Sequence, residues 1–206
     1  QHPYIARSIT GFWRRWHVSL STWLRDYLYI PLGGNRKGRR RRDLNLMITM
    51  LLGGLWHGAA WTFVIWGGIH GLALVAHKAW VERPGFQALR ERLGRTSLWT
   101  PASWVLTMGV VGLCWVFFRA PSLEAAVAYL GGLAGGDLHI PFADLRIAAT
   151  ALAVLALIDV PQLVGRSHTA MLAWPVPLRG LLYASLVLIL AMNQGGADVP
   201  FIYFQF

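Results

Sequence analysis

The sequence predicts an all-α membrane protein built from several apolar helices, and three observations carry that reading. No Asp, Glu, Lys or Arg occurs from Leu44 to His77, and apolar runs of such length belong in a bilayer. Of the 206 residues, 55% are hydrophobic and 14% charged, whereas a soluble domain averages about a quarter charged. There are 11 Trp and 6 Tyr residues, types that favour the membrane–water interface. A soluble all-helical enzyme with a large core is the alternative.

The elements follow in chain order. Residues 10–30 read as one amphipathic helix. Phe12, Trp13, Trp16, Leu20, Trp23, Leu24, Tyr27 and Leu28 share an arc at 100° per residue, opposite Arg14, Arg15, Ser19 and Arg25. Such a helix suits the headgroup level of a bilayer. His17 falls inside the aromatic arc, a polar ring on the buried side. Pro31 ends the helix, and residues 33–42 read as a turn-rich basic loop. Apolar segments are expected at about 44–55 and 59–77, with a break at Gly53-Gly54 or at Gly58, or else one continuous tilted span with tolerated glycines. Lys78–Arg95, charged and with Pro84-Gly85 inside, reads as a surface connection. Thr100 and Pro101 open a segment over 101–118. Ser122 caps a short helix ending near Gly131-Gly132, Gly135–Asp144 is loop, and further apolar segments cover 146–160 and 178–193. Asn193–Gly196 leads to the aromatic tail Phe201–Phe206.

Charge fixes an expected orientation. The net charge is +10, and Arg36, Lys37, Arg39, Arg40, Arg41 and Arg42 form one tract. A basic run beside an apolar segment marks the cytoplasmic side and attracts anionic headgroups. Nothing beyond charge resembles a nucleic-acid module, so no nucleic-acid partner is expected. Cys114 stands alone in an apolar run and reads as a small buried hydrophobe. The chain opens at Gln1 without a signal peptide and reads as a segment of a longer protein.

Chemistry concentrates at the histidines. An ionisable group within an apolar run is a functional candidate, and His57 sits in Gly53-Gly54-Leu55-Trp56-His57-Gly58-Ala59-Ala60-Trp61. A neutral imidazole can take a proton from a hydroxyl. Trp56 can pack over a substrate, and Gly54 and Gly58 can admit an acyl group. Broken backbone at membrane depth is tolerated where it lines a cavity. A structural histidine bonding across helices is the alternative. His70 and His77 share a helix face, and His70 is read as bonding to another helix or lining the cavity. With no close partner ligand, no metal is expected. His2, His139 and His168 fall in expected loops. Arg14 and Arg15 can pair with donor phosphates. Gly33-Gly34-Asn35-Arg36-Lys37-Gly38 is read as a basic turn rather than an anion site.

Two ordered motifs resemble one family. Phe12-Trp13-Arg14-Arg15-Trp16-His17 followed by Ser19–Gly34, and Leu52–Gly67 around His57, are similar to the signatures of membrane-bound O-acyltransferases. The closest likeness is to the bacterial branch that contains alginate O-acetyltransferase membrane subunits and the D-alanine transfer protein of teichoic acid modification. The ending Pro200–Phe206 also looks like that branch. The likeness covers essentially all 206 residues, as the C-terminal portion of a single domain of a protein about twice as long.

The resemblance implies a polytopic helical core with interfacial and re-entrant helices around a catalytic tunnel, in the bacterial inner membrane. It implies His57 as the catalytic histidine and His17 as a second functional histidine at the cytoplasmic entrance. Trp56, Gly54, Gly58, Trp16, Trp61, His70, Arg14 and Arg15 are expected at the substrate or tunnel. The implied reaction, in the full-length enzyme, moves an acyl group, expected to be acetyl, from a cytoplasmic thioester to an exported polysaccharide hydroxyl or a periplasmic partner. The donor is acetyl-CoA or an acyl carrier thioester, with no bound cofactor. A glycan transporter and a non-catalytic assembly subunit are the alternatives.

Overall fold

A computed structural model describes residues 2–136, 142–167 and 169–192. His139, His168, residues 193–196 and the tail Phe201–Phe206 lie outside the described residues. Among those described, the chain is helical with no strand. It divides into two units, Gln1–Asp137 and Leu138–Phe206.

The first unit opens with α1 (Ile9–Trp13), capped by Ser8, whose Oγ accepts from the Gly11 N–H at 3.1 Å. The single helix expected over 10–30 is not formed. Arg15 and Trp16 N–H groups both fold back to the Phe12 carbonyl, and His17 adopts a left-handed conformation, φ 42°. This conformation is rare for residues with a Cβ and stops a helix outright. The chain restarts as α2 (Val18–Leu24) and widens into a π-helical turn, Arg25–Tyr29. There the Ile30 N–H bonds the Arg25 carbonyl, five residues back, at 2.9 Å.

Two long helices form the centre of this unit, α3 (Gly38–His57) and α4 (Trp61–Glu82). The arginine run, expected in a loop, is mostly helical instead. Arginine is a good helix former, and Arg42, buried at 7% exposure, bonds both Asp43 and Glu82 across to the end of α4. The break between the helices falls at Gly58, not at Gly53-Gly54. The pairing is antiparallel: Gly54 faces the Phe63 carbonyl, Gly67 faces the Met50 carbonyl, and Gly71 faces Met47. A Cβ at Gly54 or Gly67 would overlap those backbone atoms. Small residues four apart let helix backbones approach in this way.

After a 3-10 turn at Pro84–Phe86 and a short α5 (Gln87–Gly94), α6 (Trp99–Arg119) packs on α4. It begins two residues before Pro101, after Leu98. Ser122 caps α7 (Leu123–Gly135) through the Ala125 N–H, as its sequence implies, but the helix continues through Gly131-Gly132 to a left-handed Gly136, φ 81°. Two apolar clusters hold the unit together. One joins Ala6, Ile9, Phe12, Met50, Leu74 and Val111, the other Trp66, Cys114, Phe117 and Ala126.

The second unit contains α8 (Phe142–Gly165), with Pro161 inside it, a 3-10 turn Ala170–Ala173, and α9 (Val176–Met192). Two described helices are long and apolar enough to cross a membrane, Trp99–Arg119 and Leu145–Gly165, with mean hydropathies of 1.7 and 2.0.

Candidate active site

The two histidines singled out by the sequence lie together. His57 is the last residue of α3, where the chain turns extended at Gly58 before entering α4. It is 5% exposed. Phe63 and Trp66 reach it from α4, Phe118 from α6, and its neighbour Trp56 packs edge-on. The Trp66 and Phe118 rings stand 5.3 and 4.9 Å away, each edge to face with the imidazole. His17 stands within electrostatic range of His57.

His17 itself differs from expectation. It does not sit on the buried side of a continuous helix but at the exposed break between α1 and α2, with Ser19 Oγ 3.5 Å from its Nδ1. It is also far from the arginine run. From Arg42 to His57, α3 rises about 1.5 Å per residue, so the two levels are separated by roughly 22 Å.

A second buried imidazole lies on the other side of Trp66 from the first. His70 is 1% exposed; its Nδ1 accepts from the Trp13 indole N–H at 3.3 Å. The sequence left open whether it bonds another helix or lines a cavity; it ties α1 to α4. The contact fixes its tautomer, because the accepting nitrogen carries no proton. Trp66 stands between the two histidines, 4.8 Å from His70. At the next level Thr10 Oγ1 and His77 Nδ1 are 2.9 Å apart.

The remaining sequence candidates separate. Trp56 is half exposed and Trp61 is 73% exposed. Trp16 packs with Tyr4, Phe12 and Trp115. Arg14 and Arg15 are exposed in the break, Arg15 donating to the Gly11 carbonyl. Gly54 offers no room for an acyl group, because the space beside it is filled by the Phe63 backbone. Trp13, besides holding His70, lines a cavity of about 230 Å³ with Ser21, Arg25, Tyr29, Met50 and Lys78. Among the described residues no group of three or more His, Cys, Asp or Glu is placed to hold a metal.

Trp66, Phe63, Phe118 and Trp13 were not singled out as site residues. Phe63 and Trp66 lie three residues apart in the first turns of α4 and could have been found by following α4 from the break. Phe118 comes from α6, and no local signal announces it.

The profile of the membrane-bound O-acyltransferase family, MBOAT, matches residues 4–116, a stretch holding both His17 and His57. The chain belongs to this family. It is 39% identical over 230 residues to the probable alginate O-acetylase AlgI of Pseudomonas putida, an alignment covering 100% of this chain and 45% of that protein. It is 45% identical over 133 residues to the peptidoglycan O-acetyltransferase of Helicobacter pylori, covering 65% of this chain and 24% of that one. It is 33% identical over 129 residues to the teichoic acid D-alanyltransferase of Streptococcus thermophilus, covering 56% and 31% respectively. This MBOAT chain spans about half the length of the curated relatives that it matches along its whole length. Family membership and its apolar helices make it a membrane protein.

Proposed function

We propose that the full protein is a multi-pass inner-membrane O-acyltransferase that moves acetyl from a cytoplasmic thioester to a hydroxyl of an exported polysaccharide, directly or through a periplasmic partner. The observation that carries this reading is His57, buried among aromatic rings at a helix break, with Trp66 between it and the second buried imidazole, His70. Relatives named for O-acetyl transfer favour acetyl over D-alanyl. Acetyl-CoA and an acetylated carrier protein offer the same thioester.

The chemistry needs one base. His57 takes the proton of the acceptor hydroxyl as its oxygen adds to the thioester carbon. The tetrahedral intermediate collapses by breaking the C–S bond, and the imidazolium returns its proton to the departing thiolate. The aromatic walls exclude water, which would otherwise compete as acceptor. His17 orients the incoming hydroxyl or assists the proton transfer. Arg14 and Arg15, exposed two or three residues before it, suit the phosphates of a donor.

The test uses the full-length protein. His57→Ala should abolish O-acetylation of cell-surface polysaccharide, read by mass analysis, while the variant still fractionates with membranes. Near-normal acetylation in that variant refutes the assignment.

A further inference from the structure

The aromatic walls around His57 contain one anomaly. Trp66 is 5% exposed, and its indole N–H has no acceptor. The neighbouring Trp13 indole, by contrast, donates to His70. A buried donor without an acceptor is costly, and such groups are few in native structures and call for an explanation. The rings packed about Trp66 are those of His57, His70, Trp13 and Phe118. The acceptor nitrogen of His70 is already taken by Trp13.

We propose that Trp66 donates its indole N–H to the carbonyl oxygen of the acyl group transferred at His57. The inference rests on the reading of His57 as the base. When the acceptor oxygen adds to the thioester carbon, the carbonyl π pair moves onto oxygen, which becomes an oxyanion. The indole N–H stabilises that charge without giving up its proton, and the pair returns as the C–S bond breaks. Each of the two hydrogen bonds, base to attacking oxygen and donor to oxyanion, spans about 3 Å. The imidazole and indole centroids stand 5.3 Å apart, edge to face, so base and donor sit side by side on one wall of the site. Preorganised donors of this kind act most strongly where water is excluded.

The test places two variants in full-length protein. Trp66→Phe removes the N–H and part of the ring. Replacement of Trp66 by benzothienylalanine, installed by codon suppression, keeps the shape and exchanges N–H for sulfur. Cells are pulsed with labelled acetate, and the initial rate of label entry into surface polysaccharide is read. The melting temperature of the purified protein is read alongside. Both variants should slow transfer about 100- to 1,000-fold, as loss of one oxyanion donor does, with the sulfur variant melting within about 2 °C of the parent. A parental rate in the sulfur variant overturns the proposal. So does a rate loss matched by a large fall in melting temperature, which means the N–H has a structural acceptor. His57→Ala in the same cells separates the two readings. If it abolishes labelling while the Trp66 variants keep it, only this inference fails; if it leaves labelling intact, the base assignment fails and this inference with it.

Discussion

The crossing of α3 and α4 gives a quantitative test of the packing. A Cβ at Gly54 meets the Phe63 carbonyl, and one at Gly67 meets the Met50 carbonyl. Both obstacles are backbone, so no side chain can swing aside. Packed atoms need roughly 3.5 Å, so Gly54→Ala has to part the helices by about 1 Å. A gap of that size forfeits a quarter to a half of each contact's well. At about 0.1–0.2 kcal/mol per contact over some 40 atom pairs, the loss is about 2–3 kcal/mol. Alanine's helix propensity returns about 1 kcal/mol, leaving a net cost of about 1–2 kcal/mol. Gly68→Ala is the control. Its Cβ would stand 3.7 Å from Leu51 Cδ2, an ordinary contact, so only the propensity gain applies. Tryptophan fluorescence of the full-length protein in detergent should therefore show Gly54→Ala melting about 2–3 °C below Gly68→Ala, at about 1 °C per kcal/mol for a chain about twice this length. The double variant Gly54→Ala with Gly67→Ala should cost less than the sum of the two, because one separation relieves both overlaps. Equal stability of Gly54→Ala and Gly68→Ala refutes the close crossing.

Three further outcomes are expected. His17→Gly keeps the left-handed backbone at φ 42°, which glycine adopts freely. It should lower acetyl transfer at least about tenfold with no loss of stability; retained activity removes His17 from the chemistry. A cysteine at exposed Arg40, with Cys114 replaced, should resist an impermeant thiol reagent outside intact cells and react once the inner membrane is opened, as each basic residue near an anionic surface contributes about 1 kcal/mol. Prompt labelling from outside reverses the topology. The Arg42 guanidinium bonded to Glu82 holds that carboxyl below the usual glutamate range. A carboxylate whose value is depressed in the folded state stabilises the fold above its ordinary value, near pH 4.3, and loses that contribution as pH falls through the folded value. The melting difference between parent and Glu82→Gln should thus be present at neutral pH and vanish in acid; a difference that persists at pH 2 contradicts the linkage.

Much of this was legible in the residues. Apolar composition and tryptophan content imply a helical membrane protein, and the glycine at position 58 is where the charge-free stretch breaks. Ser122 announces its own helix because a cap is a local interaction. Failures came where local rules meet tertiary ones. A wheel at 100° per residue presumes an unbroken helix, so it placed His17 on a buried face that the left-handed turn removes. The arginine run reads as loop on charge alone, yet Arg42 is anchored by Glu82, 40 residues away. Gly54 looks like space for substrate until α4 is laid against it, although the spacing Gly67-x-x-x-Gly71 on the partner helix already marks a close approach. The wall that Phe118 supplies to His57 depends on α6 folding back onto α4 and has no counterpart in local pattern.

The π-helical turn at Arg25–Tyr29 makes the length of this segment matter as much as its composition. An α-helix advances about 100° per residue, and the wider turn accommodates one residue more than a regular path would. Inserting one further residue there would swing everything after it by about that angle, because the widened turn already holds the one extra residue it can take. The Gly34 carbonyl, which accepts from the wholly buried Asn45 amide at 3.1 Å, would then point elsewhere, and the start of α3 would lose its register. A change in reading length, with every side chain otherwise retained, would dislodge the helix that carries His57 at its far end.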